Sequence, residues 1–444
     1  MKITSLAPFL TLLLLWGCGG AGLGPPAASP AAQPASQHAA PPPATVNWTN
    51  FGFTSGHDGF NTKETTIGTG NVSSLTTQWI AAQWTGRANF VKVGNVLYHE
   101  ADVSATPTLY AYDVVKQQVL WKATVGNNTD NPHGIAYASG LVFAVPCSVG
   151  SAGYGVCAFN ARTGAKVWGD GFYSVRTAPV VSRGIVYVGY GDSYMISQHI
   201  AALSASTGSQ VWVWGGCYKV NDCTEVTGNT TPAVDGGKVY FECAGNAIFS
   251  NGQGVCAVNV ADGSLAWAFN TAPEPAISAA GGYVYVDGQC GSSGSEILYS
   301  LAETTGMPRW SYNAGTEGCG LTGPPAIAKG LVYFTPASAG GTLIALHTGT
   351  GKVAWTIPPS GSVLSAPTVA NGVLYIDSHT PNAAVAAYNA VTGAALWTSK
   401  EAWGSNTDDG VNAPIVLNGQ VFAYCNGPDV CEYALPAGTK RHEH

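Results

Sequence analysis

Charged side chains are scarce in this sequence. Its 444 residues hold 18 Lys or Arg and 25 Asp or Glu, 10% in all, where about a quarter is ordinary for a soluble domain. With a net charge of −7 and only six arginines spread along the chain, there is no basic stripe for phosphates, which excludes polymerase, repressor and RNA-binding roles. Gly-x-Ser-x-Gly and His-Glu-x-x-His are missing, so the familiar hydrolase chemistries have no signature here. There is no Cys-x-x-Cys and no His at ligand spacing from a cysteine, which argues against zinc. The apolar run Leu6 to Trp16 is too short to span a bilayer and has the length of a secretory signal's hydrophobic region.

What is present is apolar and turn-rich. Apolar residues make up 46%, aromatics 10%, and 57 glycines are scattered among Val, Tyr and Trp, a mixture that suits many short strands joined by tight turns. The N-terminal run ends Leu15-Trp16-Gly17-Cys18, which resembles a bacterial lipobox, although Trp16 stands where a small or branched residue is usual. Residues 1–18 are therefore expected to be an export signal with Cys18 lipidated; an ordinary signal cleaved further on is the alternative. Residues 19–45 are almost only Ala, Pro, Gly, Ser and Gln, a tether that cannot form a packed core. The folded part is expected over 46–438, with 439–444 a tail, in a monomer of the cell envelope or exterior that meets the membrane only through its N-terminus.

One motif recurs down the chain. In its first half a Gly precedes two residues and an aromatic, as in Gly140 to Phe143, Gly184 to Tyr187, Gly237 to Tyr240, Gly282 to Tyr285, Gly330 to Tyr333, Gly372 to Tyr375 and Gly419 to Phe422. Asn95 to Tyr98 is the eighth copy, with Asn expected to take the positive φ of a hairpin turn. A proline five residues earlier (Pro179, Pro232, Pro325, Pro367, Pro414) marks the start of the preceding strand. In the second half a Thr-Gly or Asp-Gly turn is followed four residues past its Gly by Trp168, Trp212, Trp267, Trp310, Trp355 or Trp397; Trp121 follows a copy with Gln117 in the Gly place. Trp79 stands alone near the N-terminus, while the chain ends on strands 421–425 and 430–435 without a closing Trp strand. The two ends complete each other. The expected fold is all-β, an eight-bladed β-propeller of four-stranded blades whose last blade is closed by the N-terminal strand.

The Ala-x-Asn/Ser-x-x-Thr-Gly-x-x-x-Trp pattern, with Asn47-Trp48, Asn61 and Asn71-Val72 leading into Trp79, resembles the quinoprotein (PQQ-repeat) propeller superfamily over Trp48 to Gly438. A WD40 relationship is weaker, because no repeat tryptophan is followed by Asp. The resemblance implies the architecture and leaves the activity open, since the superfamily includes PQQ-dependent alcohol and sugar dehydrogenases as well as non-catalytic scaffolds such as the lipoprotein of the outer-membrane assembly machinery. The recurring tryptophans are expected to be core, and His347, at the place of Asn160, Ser204 and Asn389, a turn cap.

In such a ring the loops from strand two to strand three and from blade to blade share one face. All ten cysteines after Cys18 are assigned to these loops, with the pairs Cys147–Cys157, Cys243–Cys256, Cys425–Cys431, Cys217–Cys223 and Cys290–Cys319 expected in an oxidising compartment. On the same face Arg87, His133, Arg176, Asn229, Glu274, Thr322 and Asn412 lead toward the axial funnel, and Asp408-Asp409 adds oxygen ligands of the kind calcium accepts. Two functions follow. One is a tethered scaffold whose stapled face binds a protein or extracellular polymer, without cofactor or nucleic acid. The other, implied by the resemblance, is a PQQ- and calcium-dependent alcohol or sugar dehydrogenase, with Arg87, Arg176, Glu274 and Asn412 supplying part of the quinone site. Against it, the adjacent Cys-Cys pair and a Cys-x-x-Cys-His haem site are both missing.

Overall fold

Each Gly-x-x-aromatic copy turns a hairpin. In the computed structural model, residues 46–436 are described apart from 82–88, 104–105, 127–133, 150–152, 173, 176, 192–197, 216–229, 245–252, 272–275, 289–295, 316–320, 322, 337–341, 359–364, 381–382, 402–412 and 426–428. Around the two-residue turn Arg183-Gly184, for example, Ser182 pairs with Ile185 and Val180 with Tyr187. Both turn residues have positive φ, 49° and 80°, the geometry whose twist matches paired strands. The blade 1 copy differs from expectation. There Gly94 takes the positive φ of 57° while Asn95 does not, so the preceding glycine carries the unusual conformation and the Asn needs none. The five prolines each immediately precede an innermost strand, where no ladder hydrogen bond is lost.

These hairpins assemble into eight blades of four antiparallel strands, in sequence order in blades 1 to 7, that form a β-propeller; Phe60–Asn61 adds a parallel strand to the inner edge of blade 7, and Ser174–Val175 pairs with the second strand of blade 3. Blades 1 to 8 occupy 91–124, 134–172, 180–215, 233–270, 277–315, 326–357, 368–398 and 415–434. Blade 8 supplies three strands of its own, and its outer strand is Thr76–Ala81, paired with Asp429–Ala434 through Thr77 opposite Tyr433 and Ile80 opposite Cys431. The N-terminal strand thus removes the open edge that an incomplete ring would present. Among the described residues no helix is long and apolar enough to cross a membrane.

The core lies between neighbouring sheets. Phe143 and Val156 of blade 2, for instance, pack with Val186 and Leu203 of blade 3. The repeat tryptophans complete each junction. The indole Nε1 of Trp121, Trp168, Trp212, Trp267, Trp310 and Trp355 donates to the carbonyl of Ala161, Ala205, Val260, Glu303, Thr348 and Ala390 in the next blade, at 2.7–3.2 Å. The same rings lie against the Thr-Gly turn three residues beyond each acceptor. A Cβ on Gly208 would stand 2.6 Å from Cε3 of Trp168, so this glycine answers to the ring as well as to its φ of 76°. At the turn packed against Trp310, His347 closes the bend through its backbone, accepting from Gly351 N at 2.8 Å, as Asn160 and Asn389 do from Gly164 N and Gly393 N; those two Asn also cap their turns with side-chain oxygens.

Candidate functional site

The hairpin turns between strands one and two, and between three and four, all end on one side of the ring. The connections from two to three and from blade to blade end on the other. Three disulfides stand at one repeat position near that second side, in blades 2, 4 and 8: Cys147–Cys157, Cys243–Cys256 and Cys425–Cys431. The pairs are as expected, but the six cysteines sit inside strands two and three, not in the loops. Each bridge is diagonal; Cys243 lies opposite Gly254, and Cys256 opposite Phe241. It therefore locks the hairpin just below its loop.

Acids occupy a second recurring position, two residues past the strand-two aromatic: Glu100, Glu242, Asp287 and Asp377, all buried. Asp287 accepts from the backbone N–H of Ala276 at 2.7 Å and of Leu321 at 3.1 Å, tying the approaches to the inner strands of blades 5 and 6. Asp377 is enclosed between blades 7 and 8, and burial pushes its carboxyl well above the ordinary range. Its backbone N–H donates to Ser365 Oγ at 2.9 Å. In blade 3 the same place is Gly189, whose N–H donates to Thr177 Oγ1 at 2.8 Å.

A strap crosses the axis, and no repeat pattern points to it. Residues 48–61 visit the innermost strand of every blade at one equivalent position, three residues before the turn glycine or Asn95. Backbone N–H groups of Lys92, Tyr137, Val234, Ala279, Ile327 and Val369 donate to the carbonyls of Trp48, Thr49, Ser55, Gly56, Asp58 and Gly59 at 2.7–2.9 Å. Val181 N donates to Asn50 Oδ1 at 2.9 Å, and Asn50 Nδ2 returns a bond to Val181 O. In blade 8 the direction reverses, with Asn61 Nδ2 donating to Val416 O at 2.7 Å. Close approach explains the strap's glycines: a Cβ on Gly56 would lie 2.2 Å from Ala279 O. His57 is fully enclosed, and burial lowers its imidazole to about 4; burial raises the neighbouring Asp58 to about 6, against a bond from Thr54 Oγ1 at 2.8 Å. The strap lies nearer the hairpin turns than the disulfides do. The aromatic and glycine spacing of Trp48, Phe51, Gly52, Phe53, Gly56, Gly59 and Phe60 is the signal that could have revealed it.

Arg87, His133, Arg176, Asn229, Glu274, Thr322, Asn412, Asp408 and Asp409 all lie outside the described residues, as do Cys18, Cys217, Cys223, Cys290 and Cys319. Among the described residues no three His, Cys, Asp or Glu side chains converge as a metal set. The buried cation of the axis, Lys92, is committed to Gly94 O at 2.9 Å and lies over the Phe422 ring. The repeat tryptophans Trp121, Trp168, Trp212, Trp267, Trp310 and Trp355 have their rings against the next blade. The described residues do not by themselves make up a PQQ site.

This architecture is that of a PQQ-repeat propeller. A family model described as outer membrane protein assembly factor BamB matches residues 72–212, 105–284 and 294–444, and the chain belongs to that family. Over 205 residues it is 30% identical to the serine/threonine-protein kinase AfsK of Streptomyces griseus, a match covering 42% of this chain and 22% of the kinase. The chain thus spans under a quarter of that relative's length. Among solved structures, a europium-containing methanol dehydrogenase superposes with a TM-score of 0.64 at 16% identity, over 88% of this chain and 98% of that one. BamB from Moraxella catarrhalis gives 0.56 at 17%, over 83% and 99%. At such identities the likeness is one of fold.

Proposed function

We propose that the protein is an exported, envelope-tethered propeller whose disulfide-stapled face captures a protein or an extracellular polymer. The observation that carries this reading is the repeated disulfide at one position in three blades, which stiffens the hairpins bearing the variable loops of a single face. Such bridges belong to an oxidising compartment, in keeping with the signal-like N-terminus and Cys18. Loops on a rigid scaffold are where binding residues concentrate. The likeness to BamB supports a scaffold, while the likeness to methanol dehydrogenase extends to fold alone.

A photo-crosslinking side chain placed at Ser148, beside the stapled loops, tests this in cells against the same group at Gly349, on a hairpin turn of the other face. A discrete adduct from position 148 and none from 349 is expected. Equal adducts from both, or none from 148, would contradict the assignment.

A further inference from the structure

The sequence scatters its cations, but the topology brings six of them to one side of the ring; of the other exposed ones among the described residues, Lys63 follows the strap, Lys122 lies on an outer strand, Lys166 reaches Ser148 O at 3.3 Å and Lys400 follows the last strand of blade 7. Lys116, Arg162 and Lys352 lie on turns between strands three and four, Arg183 and Lys329 on turns between strands one and two, and Arg309 just beyond such a turn over the ring of Tyr283; all six are exposed. Every one is on the hairpin-turn side, opposite the disulfides. The acids are distributed differently. Asp262 is the one exposed carboxylate among the described residues, and it is engaged by the N–H and hydroxyl of Ser264. Asp113 is buried, with turn N–H groups at 3.0 Å and Lys116 at 3.6 Å; Asp235 is half-buried near Arg183. A chain with net charge −7 thus turns a cationic face outward.

Apolar side chains stand on the same face. Val115, Met307 and Val391 are 68%, 67% and 60% exposed, each on a turn between strands three and four, and Val115 adjoins Lys116. The chain also enters the ring here: Val46 N donates to Asn418 Oδ1 at 3.1 Å and Asn418 Nδ2 to Val46 O at 2.8 Å, on the hairpin turn of blade 8. Val46 thus stands on the cationic side.

We propose that the hairpin-turn face docks on an anionic phospholipid bilayer, with the cations over the headgroups and the three apolar tips in the interface. Lysine and arginine are attracted to such a surface within a Debye length, and projecting apolar residues add a salt-independent part. Docked this way, the ring holds its stapled face away from the membrane. The inference rests on the proposed function only for a membrane within reach, and crosslinking at the opposite face is read separately.

The test uses the full chain carrying Cys18→Ser, so that no acyl group can anchor it, sedimented with vesicles of phosphatidylglycerol and phosphatidylcholine in equal parts or of phosphatidylcholine alone. Binding to the anionic vesicles, weakened by salt, and none to the neutral ones is expected. Neutral replacements come from the protein's own repeats: Lys116→Thr as at Thr163, Arg162→Ser as at Ser206, Arg183→Asn as at Asn371, and Lys329→Asn as at Asn418. At about fivefold per cation, the quadruple variant should lose more than about a hundredfold in partitioning with its thermal unfolding unchanged. Lys122→Gln, on the outer strand of blade 1, should bind as the parent does. Equal binding to neutral vesicles, no binding to anionic ones, or undiminished binding by the quadruple variant would overturn the proposal. So would capture of soluble polyphosphate without vesicle binding, which would assign the face to a polymer.

Discussion

The side-chain amide of Asn61 donates to the carbonyl of Val416 at 2.7 Å, across 355 residues of sequence. This bond closes the strap's circuit in blade 8, and Asn61 Oδ1 also accepts from Lys63 N at 2.8 Å. Asn61 is fully buried, so Asn61→Leu leaves the Val416 carbonyl and the Lys63 N–H without partners. We expect a loss of about 1–3 kcal/mol, read as a lower denaturation midpoint with unchanged slope. A variant as stable as the parent would mean that the circuit contributes little.

The junction between Trp168 and Gly208 predicts a pair of opposite effects. Gly208→Ala forces a Cβ into the indole at a positive φ and should destabilise by about 1–3 kcal/mol. Gln117 occupies the same repeat place with φ of 53°, a conformation that costs a side-chain-bearing residue about 1–2 kcal/mol. Gln117→Gly should raise the melting temperature, and thermal melts of both variants check the pair.

The disulfides should rank by loop length. Cys243–Cys256 spans 13 residues and Cys425–Cys431 spans 6, so removing the first as a Ser pair should cost about 3 kcal/mol and the second about 2. Non-reducing peptide maps should also recover Cys217 with Cys223 and Cys290 with Cys319; free thiols or crossed pairs there would contradict the assignment.

Acid stability should respond to the strap in two directions. His57 is lowered to about 4 from 6.5, so its contribution is present above pH 6.5 and is lost as pH falls toward 4. Asp58 is raised to about 6 from 3.8, so the native state takes up its proton first and gains relative stability as pH falls from 6 toward 3.8. The two oppose one another. Asp58→Asn should make stability fall more steeply between pH 6 and 4.5 than in the parent, measured by urea unfolding; a shallower fall would refute the account.

Repetition made most of the fold legible. The turn glycines, the prolines before the inner strands, the recurring tryptophans and the lone Trp79 segment each mark a place in one four-stranded unit, and eight copies average out local ambiguity. The strap escaped because it occurs once, and its hydrogen bonds go to backbone groups that no residue type announces. Asn95 departs for a related reason: the pattern aligns residue types, while in this copy only the first turn residue, Gly94, keeps the positive φ that both turn residues have elsewhere. Three of the five cysteine pairs, Cys147–Cys157, Cys243–Cys256 and Cys425–Cys431, are legible by spacing, yet their place inside the strands depends on register. Charge is scattered along the chain, and only the alternation of turns brings Lys116, Arg183 and Lys329 to one face.

The central claim is that this propeller binds a partner on its stapled face and does not turn over alcohols or sugars with PQQ. Its most direct test is a titration of the purified full chain with PQQ in the presence of Ca²⁺, followed by a dye-reduction assay with alcohols and sugars. The account predicts neither saturable binding nor dye reduction. Substrate-dependent reduction that Arg176→Ala or Glu274→Ala abolishes would contradict it.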